Sequence, residues 1–443
     1  MRVQLVSLGC SKNRVDSEKL LARLVGGGVE VVSGEYDYFS SSPDAVVINT
    51  CGFIKDAKEE SITEILNAVE AKKAGKIKMV VVCGCLSQRY KDELKESLPE
   101  VDAFFGSFQW GKVAQFFTKR TCEEKYYIKR VQTTPQHYAY LKISEGCNRR
   151  CSYCAIPLIK GKHVSVPMED LVREARWLAL QGVRELILIA QDTTFYGMDL
   201  YKKRMLAPLL RELNKIDGIE WIRVHYSYPL AFPKDVIKEM NSNPKVCKYL
   251  DIPLQHCSTR VLKAMRRGID FPGTQKIINE IRKIVPGVAL RTTLMVGHPG
   301  EGEREFEQLL RFVALNRFEM MGAFTYSQEE NTFDALNYKD VVPQKVKNAR
   351  YKKLMTLQAK IARENNLRRV GTEEIVIVDG VDKDFIYARS QYESPEVDGV
   401  ILIPIMLPKG KTEPPLVLMN LIGKFVRVKI TGVRGYDLVA QLK

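Results

Sequence analysis

Three closely spaced cysteines in the segment GCNRRCSYCAIP are the first residues whose chemistry can be inferred. Cys147, Cys151 and Cys154 have the spacing C-x3-C-x2-C. Zinc sites usually have four ligands in paired C-x2-C spacing, so an isolated trio fits zinc poorly. A [4Fe–4S] cluster needs one thiolate per iron, so three thiolates leave one iron with an open coordination position. A small molecule can bind at that position and receive an electron through the cluster.

A second set of cysteines follows three predicted strands. Cys10, Cys51 and Cys85 come after the apolar runs VQLVSL, AVVINT and KMVVVCG. Helical patterns alternate with these runs, which predicts a parallel α/β sheet. Because the carboxyl ends of parallel strands share one edge, we expect the three cysteines to form one site. The alternative is burial as small apolar residues, which we expect for Cys83, Cys122, Cys247 and Cys257.

The patterns predict three regions in the 443 residues. Residues 1–125 form an open parallel α/β sheet. Residues 133–370 contain six strand patterns separated by amphipathic helices, which fits a partial or complete (β/α) barrel with its chemistry at the strand carboxyl ends; the partial form is the one that the family resemblance described below implies. Residues 371–443 show short alternating runs broken by Gly, Pro and Asp, which predicts a small all-β barrel.

Composition narrows the class of protein. The chain is 45% hydrophobic and 27% charged, as in an ordinary soluble protein. Its apolar stretches are too short to span a bilayer, so we expect no membrane partner. The first residues, MRVQLVSLGC, lack the layout of a signal peptide, so we expect a cytoplasmic protein. In that reducing compartment the ten cysteines are better explained as ligands or core residues than as disulfides.

The net charge of +15 is unevenly distributed. Residues 342–370 carry nine Lys or Arg and one Glu, whereas residues 371–443 carry nine basic and ten acidic residues. The basic surface therefore precedes the terminal region. Such a stripe indicates a nucleic-acid or ribosomal partner, or else a solvated amphipathic helix.

Both cysteine sets carry a resemblance to a known family. CNRRCSYC resembles the signature of the radical S-adenosylmethionine (SAM) superfamily, with Tyr153 as the aromatic residue before its last cysteine, and the resemblance implies that Tyr153 contacts SAM. SLGCSKN, INTCGF and VVCGCLSQ resemble the amino-terminal domain of the methylthiotransferases, and the terminal β region lies where that family has its TRAM domain. The resemblance implies two [4Fe–4S] clusters. One would bind SAM on Cys147, Cys151 and Cys154, and the other would lie on Cys10, Cys51 and Cys85.

Several stretches resemble one branch of that family, which acts on small-subunit ribosomal protein twelve. They are ILIAQDTTFYGMDLY, RVHYSYP, YLDIPLQH and YARSQYESPEVDGVI. The resemblance implies that a methylthio group is added to the β-carbon of an aspartate, whose hydrogen a radical removes because the C–H bond is not acidic. Sulfur would come from the amino-terminal cluster and the methyl group from a second SAM. The alternatives are a tRNA adenosine methylthiotransferase and an electron carrier with two clusters.

The remaining predicted site residues lie at strand ends. Gln191 and Asp192 either contact SAM or cap the next helix. Gly297, in GHPGE, matches a family stretch near the SAM pocket, or is an ordinary glycine-rich loop. The resemblance also implies an electron donor such as flavodoxin or ferredoxin, and contact of the basic helix with ribosomal RNA. We expect residues 387–399 to contact the ribosomal protein, since a terminal region of net charge −1 suits a protein better than phosphates.

Overall fold

The computed structural model describes residues 1–32, 38, 43–120, 128–405 and 415–443. The chain folds into two parallel α/β layers and a closed β-barrel. This is the predicted architecture, and the strand patterns predicted for the three regions correspond to strands. None of the described helices combines the length and the apolar composition that crossing a bilayer requires.

The amino-terminal sheet is parallel, with strand order β2-β1-β3-β4-β5. Every residue of β3 is buried, because helices cover both faces of the sheet. The strands are β1 (Arg2–Ser7), β2 (Glu30–Val32), β3 (Ala45–Thr50), β4 (Met79–Gly84) and β5 (Ala103–Phe104). The helices are α1 (Ser11–Gly26), α2 (Lys55–Lys73), α3 (Cys85–Arg89), α4 (Lys91–Ser97) and α5 (Trp110–Thr118).

The central sheet is also parallel, and β13 and β6 form its two edges, so the barrel is partial as predicted. A single large apolar core lies between this sheet and its helices. The strands are β6 (Tyr138–Lys142), β9 (Glu185–Ile189), β10 (Trp221–Val224), β11 (Val246–Asp251), β12 (Ala289–Val296) and β13 (Met320–Thr325). The helices are α6 (Ile156–Lys160), α7 (Met168–Leu180), α8 (Leu206–Asn214), α9 (Lys234–Ser242), α10 (Thr259–Ala264), α11 (Phe271–Ile284), α12 (Glu303–Asn316), α13 (Phe333–Asn337) and α14 (Gln344–Leu367).

A short hairpin holds the loop with the first cysteine trio. Its strands β7 (Ser144–Glu145) and β8 (Val164–Ser165) pair antiparallel on either side of the loop and α6. The loop backbone is closed by a hydrogen bond from the Cys147 amide to the Gly161 carbonyl, at 3.1 Å. Two-residue strands like these have too little periodicity to be found from sequence.

The terminal barrel has strand order β14-β15-β16-β18-β17, and only β16 and β18 pair in parallel. Closure leaves no free strand edge in the barrel. Its strands are β14 (Glu373–Val381), β15 (Phe385–Ser390), β16 (Ile401–Pro404), β17 (Phe425–Arg434) and β18 (Asp437–Leu442), and it includes the helix α15 (Leu416–Met419).

A buried ion cluster attaches α1 to the central layer. Arg130 donates to Glu18 of α1 at 2.9 Å and to Glu174 of α7 at 3.0 Å, and all three side chains are fully buried. Glu18 also accepts from the amide of Thr133 at 2.8 Å. The arginine therefore neutralises two carboxylates that belong to different layers.

Arg130→Met should lower the free energy of unfolding by about 3–5 kcal/mol, because it leaves the buried Glu18 without a cation among the described residues. Glu174 keeps its ion pair with Lys19 at 2.8 Å. Urea denaturation followed by circular dichroism measures the change. Arg211→Met is the matched control, since Arg211 forms an exposed pair with Glu239 and its loss should cost at most about 1 kcal/mol. Equal midpoints for the two variants would show that the buried cluster does not hold the layers together.

Candidate metal centres

The three amino-terminal cysteines lie together at the carboxyl edge of their sheet, as predicted. Cys10 follows β1 and precedes α1, Cys51 directly follows β3, and Cys85 begins α3 after β4. These three strands are neighbours in the sheet. Ordinary parallel topology therefore places the three cysteine loops side by side.

Asn13 connects all three of these loops. Its Nδ2 donates to the carbonyls of Leu8 and Thr50, at 3.1 and 3.2 Å, and its Oδ1 accepts from the Cys85 thiol at 3.6 Å. The side chain is 1% exposed. A buried amide that is hydrogen-bonded on both sides fixes the relative position of the loops.

Gly9 allows the first two loops to approach closely. Its φ is +87°, and a Cβ there would lie 2.8 Å from the Cβ of Cys51 and 3.0 Å from its Sγ. Any larger residue would be strained by this φ and would push Cys10 and Cys51 apart.

The other trio lies in the loop between β7 and α6, at the carboxyl edge of the central sheet. The Cys154 amide donates to the Cys151 carbonyl at 3.1 Å, and the Arg149 amide donates to the Cys147 thiol at 3.4 Å. All three cysteines are half-buried. The turn therefore holds the thiols in one loop while leaving them accessible.

Two arginines and a tyrosine surround this loop. Arg267 donates to the Cys151 thiol at 3.4 Å, and the hydroxyl of Tyr228 lies 3.7 Å from the same sulfur. The guanidinium groups of Arg149 and Arg267 lie 4.1 and 4.2 Å from the Tyr228 ring centroid. The loop therefore sits in a positive environment, which favours thiolate ligands.

Tyr153 and Asp192, two of the predicted SAM-contacting residues, lie beside this loop. The Tyr153 hydroxyl accepts from Arg267 at 3.4 Å. Asp192 caps the 3-10 turn at residues 193–195 by accepting from the Thr194 amide at 3.0 Å, and it also accepts from Arg149 at 2.7 Å. Asp192 thus has the predicted capping role and also positions an arginine of the cysteine loop.

The other two predicted SAM-contacting residues, Gln191 and Gly297, each lie against another residue of the same chain. Gln191 donates to Glu145 at 2.9 Å, and its buried Oε1 has no hydrogen-bond partner among the described residues. Gly297 has φ +80°, and a Cβ there would lie 2.4 Å from the Lys347 side chain. Packing against α14 therefore requires glycine at that position.

The two cysteine sites are adjacent across a helix contact. Helix α3, which Cys85 begins, packs on α6, which follows Cys154. Cys85, Ala155 and Ile159 form one small apolar cluster at this contact. The sequence did not predict which faces of the two layers meet.

The residues of both sites fit iron–sulfur clusters. No three described His, Cys, Asp or Glu side chains are arranged to hold a single metal ion, whereas in a cluster each thiolate binds a separate iron. Burial raises the pKa of Cys51 to about 12 and that of Cys147 to about 11, so ligation must release protons. Buried donor atoms of Arg149 and Arg267 have no hydrogen-bond partner among the described residues, and they would face the negative charge of the thiolates.

Sequence reasoning missed several residues of these sites: Asn13, Arg149, Lys160, Tyr228 and Arg267. Asn13 and Arg149 stand inside the quoted cysteine motifs, so the motifs themselves held that signal. Tyr228 stands in the quoted stretch RVHYSYP, and Lys160 lies six residues after Cys154. Only Arg267 of these five approaches from a segment that showed no pattern. The expected core cysteines Cys83, Cys247 and Cys257 are buried as predicted, and Cys122 lies outside the described residues.

Comparisons with known families cover most of the chain. Residues 2–106 match the uncharacterized protein family UPF0004, residues 141–313 match the Radical SAM superfamily, and residues 370–442 match the TRAM domain. Among solved structures, a radical SAM methyltransferase from Kitasatospora setae, TsrM, superposes with a TM-score of 0.53 at 15% identity, covering 73% of this chain and 72% of that one. At that identity the likeness shows the fold alone.

Curated relatives match over the full length. The ribosomal protein uS12 methylthiotransferase RimO of Bacteroides thetaiotaomicron is 48% identical over 441 residues, which cover 100% of this chain and 98% of the relative. The RimO proteins of Porphyromonas gingivalis and Cytophaga hutchinsonii are 48% and 46% identical, with 99% and 98% of those chains covered. The chain therefore belongs to the RimO family of ribosomal protein uS12 methylthiotransferases, within the radical SAM superfamily.

Proposed function

We propose that this protein adds a methylthio group to the β-carbon of an aspartate in small-subunit ribosomal protein uS12. The observation that carries the proposal is the packing of α3 on α6, which puts two three-cysteine sites next to each other. The reaction needs one site that generates a radical and one that delivers sulfur. Both must reach the same carbon atom, which only adjacent sites can do.

Each cysteine trio would hold one [4Fe–4S] cluster. Cys147, Cys151 and Cys154 would ligate the cluster that binds SAM, and Cys10, Cys51 and Cys85 the auxiliary one. When bound, these clusters supply the electron that starts the radical chemistry and the sulfur that is transferred. The protein supplies the rest: Asn13 fixes the auxiliary loops, and Arg267 donates a hydrogen bond to the Cys151 thiol.

Four residues would form the SAM side of the site. Tyr153 and Asp192 are held by Arg267 and Arg149, next to the cysteine loop. Gln191 has a free buried amide oxygen that can accept a hydrogen bond from the cofactor. Gly297 keeps the loop after β12 close to α14. We propose three domains, residues 1–125, 133–370 and 371–443, and all four of these residues lie in the second.

The proposed ribosomal substrate indicates which other molecules the enzyme needs or contacts. Modification of a ribosomal protein places the enzyme in the cytoplasm and requires an electron donor such as flavodoxin or ferredoxin. The exposed cations of α14, including Lys345, Lys352, Lys360 and Arg363, would meet ribosomal RNA. Four other cations of the basic stripe bind carboxylates of the same chain instead: Lys347, Arg350, Lys353 and Arg369.

Residues 387–399 form much less of a substrate contact than we expected. Arg389, Ser390 and Ser394 are at most 1% exposed. Ser394 binds His225 at 2.8 Å, and Arg389 binds Glu185 at 2.8 Å, so the segment attaches the barrel to the central sheet. Only its tip, at Glu396 and Val397, is exposed to a partner. Deleting the barrel would also uncover this interface, so point variants are the cleaner test of its role.

Anaerobic reconstitution should load about eight irons per chain, because each trio would bind one four-iron cluster. Replacing Cys147, Cys151 and Cys154 together with Ala should leave about four. Iron and acid-labile sulfide analysis measures the content. Cys247→Ala, at a buried cysteine away from both sites, should keep the full content. Zinc in place of iron, or no loss in the triple variant, would contradict the assignment.

The substrate is tested by mass spectrometry of uS12 and of tRNA after incubation with the reconstituted enzyme, SAM and a reductant. We expect the methylthio group on an aspartate of uS12 and none on tRNA. Cys85→Ala should abolish the product because the auxiliary cluster would lose a ligand. Methylthiolated adenosine in tRNA, with unmodified uS12, would identify the enzyme as a tRNA methylthiotransferase.

A further inference from the structure

Five charged side chains lie between the two cysteine sites, and we call them the lysine hub: Lys12, Asp16 and Lys160, which are buried, and Lys142 and Glu145, which are half-buried. Lys12 and Asp16 lie on α1 just after Cys10, whereas Glu145 lies two residues before Cys147. Lys142 ends β6, and Lys160 ends α6. The hub therefore combines groups from both layers and touches the chain segments that carry both trios.

The contacts within the hub are close but incomplete. Lys142 bridges the two carboxylates, donating to Glu145 at 2.6 Å and also to Asp16. Lys160 Nζ lies 3.7 Å from Glu145 and 3.9 Å from Asp16, beyond hydrogen-bond distance. Lys12 Nζ lies 3.3 Å from the centroid of the Tyr226 ring. Lys142 thus donates to both carboxylates, although Asp16 Oδ2 has no hydrogen-bond partner among the described residues, and the other two lysines are only loosely engaged.

The hub has more positive than negative charge. Three lysines face two carboxylates, so one positive charge is unmatched. Lys160 is 4% exposed, and its Nζ has no hydrogen-bond acceptor among the described residues. An ammonium group buried without an acceptor is costly, so its retention indicates that an anion completes the site.

Lys12 and Lys160 converge on one region. Lys12 follows Cys10 by two residues, at the start of α1. Lys160 ends α6, the helix that packs on α3, which Cys85 begins. Both lysines therefore belong to segments that carry the auxiliary trio or pack against it.

The anion that suits this place can be identified from the chemistry of the substrate. An aspartate that is modified at its β-carbon carries a carboxylate one bond away from the reacting atom. Because that carbon must be reached from both trios, its carboxylate must lie between them, where the hub is. If the anion were part of the auxiliary cluster alone, cations would be needed only on the side of the hub that faces the auxiliary trio. Lys142 and Glu145 instead extend the hub toward Cys147.

We propose that Lys160, assisted by Lys12, binds the side-chain carboxylate of the substrate aspartate and so positions its β-carbon between the two cysteine sites. This inference rests on the proposed function, because it presupposes an aspartate substrate. It explains why a cation with no hydrogen-bond acceptor among the described residues is buried at this place. It also gives the enzyme a means to select aspartate over asparagine, whose amide is neutral.

The test compares binding of two forms of isolated uS12 to the reconstituted full-length enzyme. One form is wild type, and the other has asparagine in place of the modified aspartate. Fluorescence anisotropy should show about tenfold weaker binding of the asparagine form, as expected for loss of one hydrogen bond between charged groups. Lys160→Met should bind both forms equally, and Lys160→Arg should restore part of the preference.

The control variants distinguish this contact from a general loss of folding or of iron. Lys12→Met should reduce the preference and provides a second test if Lys160→Met folds poorly. Lys215→Met, at an exposed lysine paired with Glu212, should keep the full preference.

Equal binding of both uS12 forms to the wild-type enzyme would overturn this inference alone. Binding of neither form, together with modification of tRNA, would overturn the proposed function as well. Loss of iron from Lys160→Met with an unchanged preference would assign the lysine to the auxiliary cluster and overturn the carboxylate contact.

Discussion

The attachment of α1 to the central layer is the constraint on which the rest of the site depends. The helix begins directly after Cys10 and carries Asn13, which connects the auxiliary loops, and Glu18, which Arg130 fixes to α7. One rigid helix therefore sets the position of the auxiliary trio and its distance from the other layer. A charged contact suits this purpose because ion pairs require defined geometry, whereas an apolar contact tolerates sliding.

The two layers use the same topological rule at their interface. In each sheet the cysteines follow the carboxyl ends of parallel strands, where loops can present side chains without disturbing the ladder. When the two edges face each other, the loops of both enclose a common space. The lysine hub then lies between the layers. Its side chains come from segments next to the cysteines, so no additional helix or strand is required to place them.

Much of this arrangement could be predicted from the sequence, because it depends on local signals. Apolar runs located the six strands of the central sheet, and cysteine spacing located both trios. Contacts made at long range could not be predicted. Lys160 looks like the end of an ordinary amphipathic helix, and Arg130 stands in an unpatterned linker, yet both are almost fully buried. A buried charge is recognisable only once its partners are known, and those partners lie in another layer.

The surface charge of the terminal barrel could not be predicted from its net charge either, because that also depends on contacts made at long range. Net charge −1 suggested a region that avoids phosphates, but five of its acidic residues bind groups outside residues 371–443: Glu374, Asp379, Glu393, Glu396 and Asp398. Arg389 is likewise turned inward, toward Glu185. Five acidic and eight basic residues are then left in the sequence of this region, and three of them lie outside the described residues. The barrel surface is therefore not acidic, and its charge does not separate a protein partner from RNA. The substrate assignment depends instead on the full-length similarity to uS12 methylthiotransferases, and the carboxylate contact inferred for the lysine hub follows from that assignment.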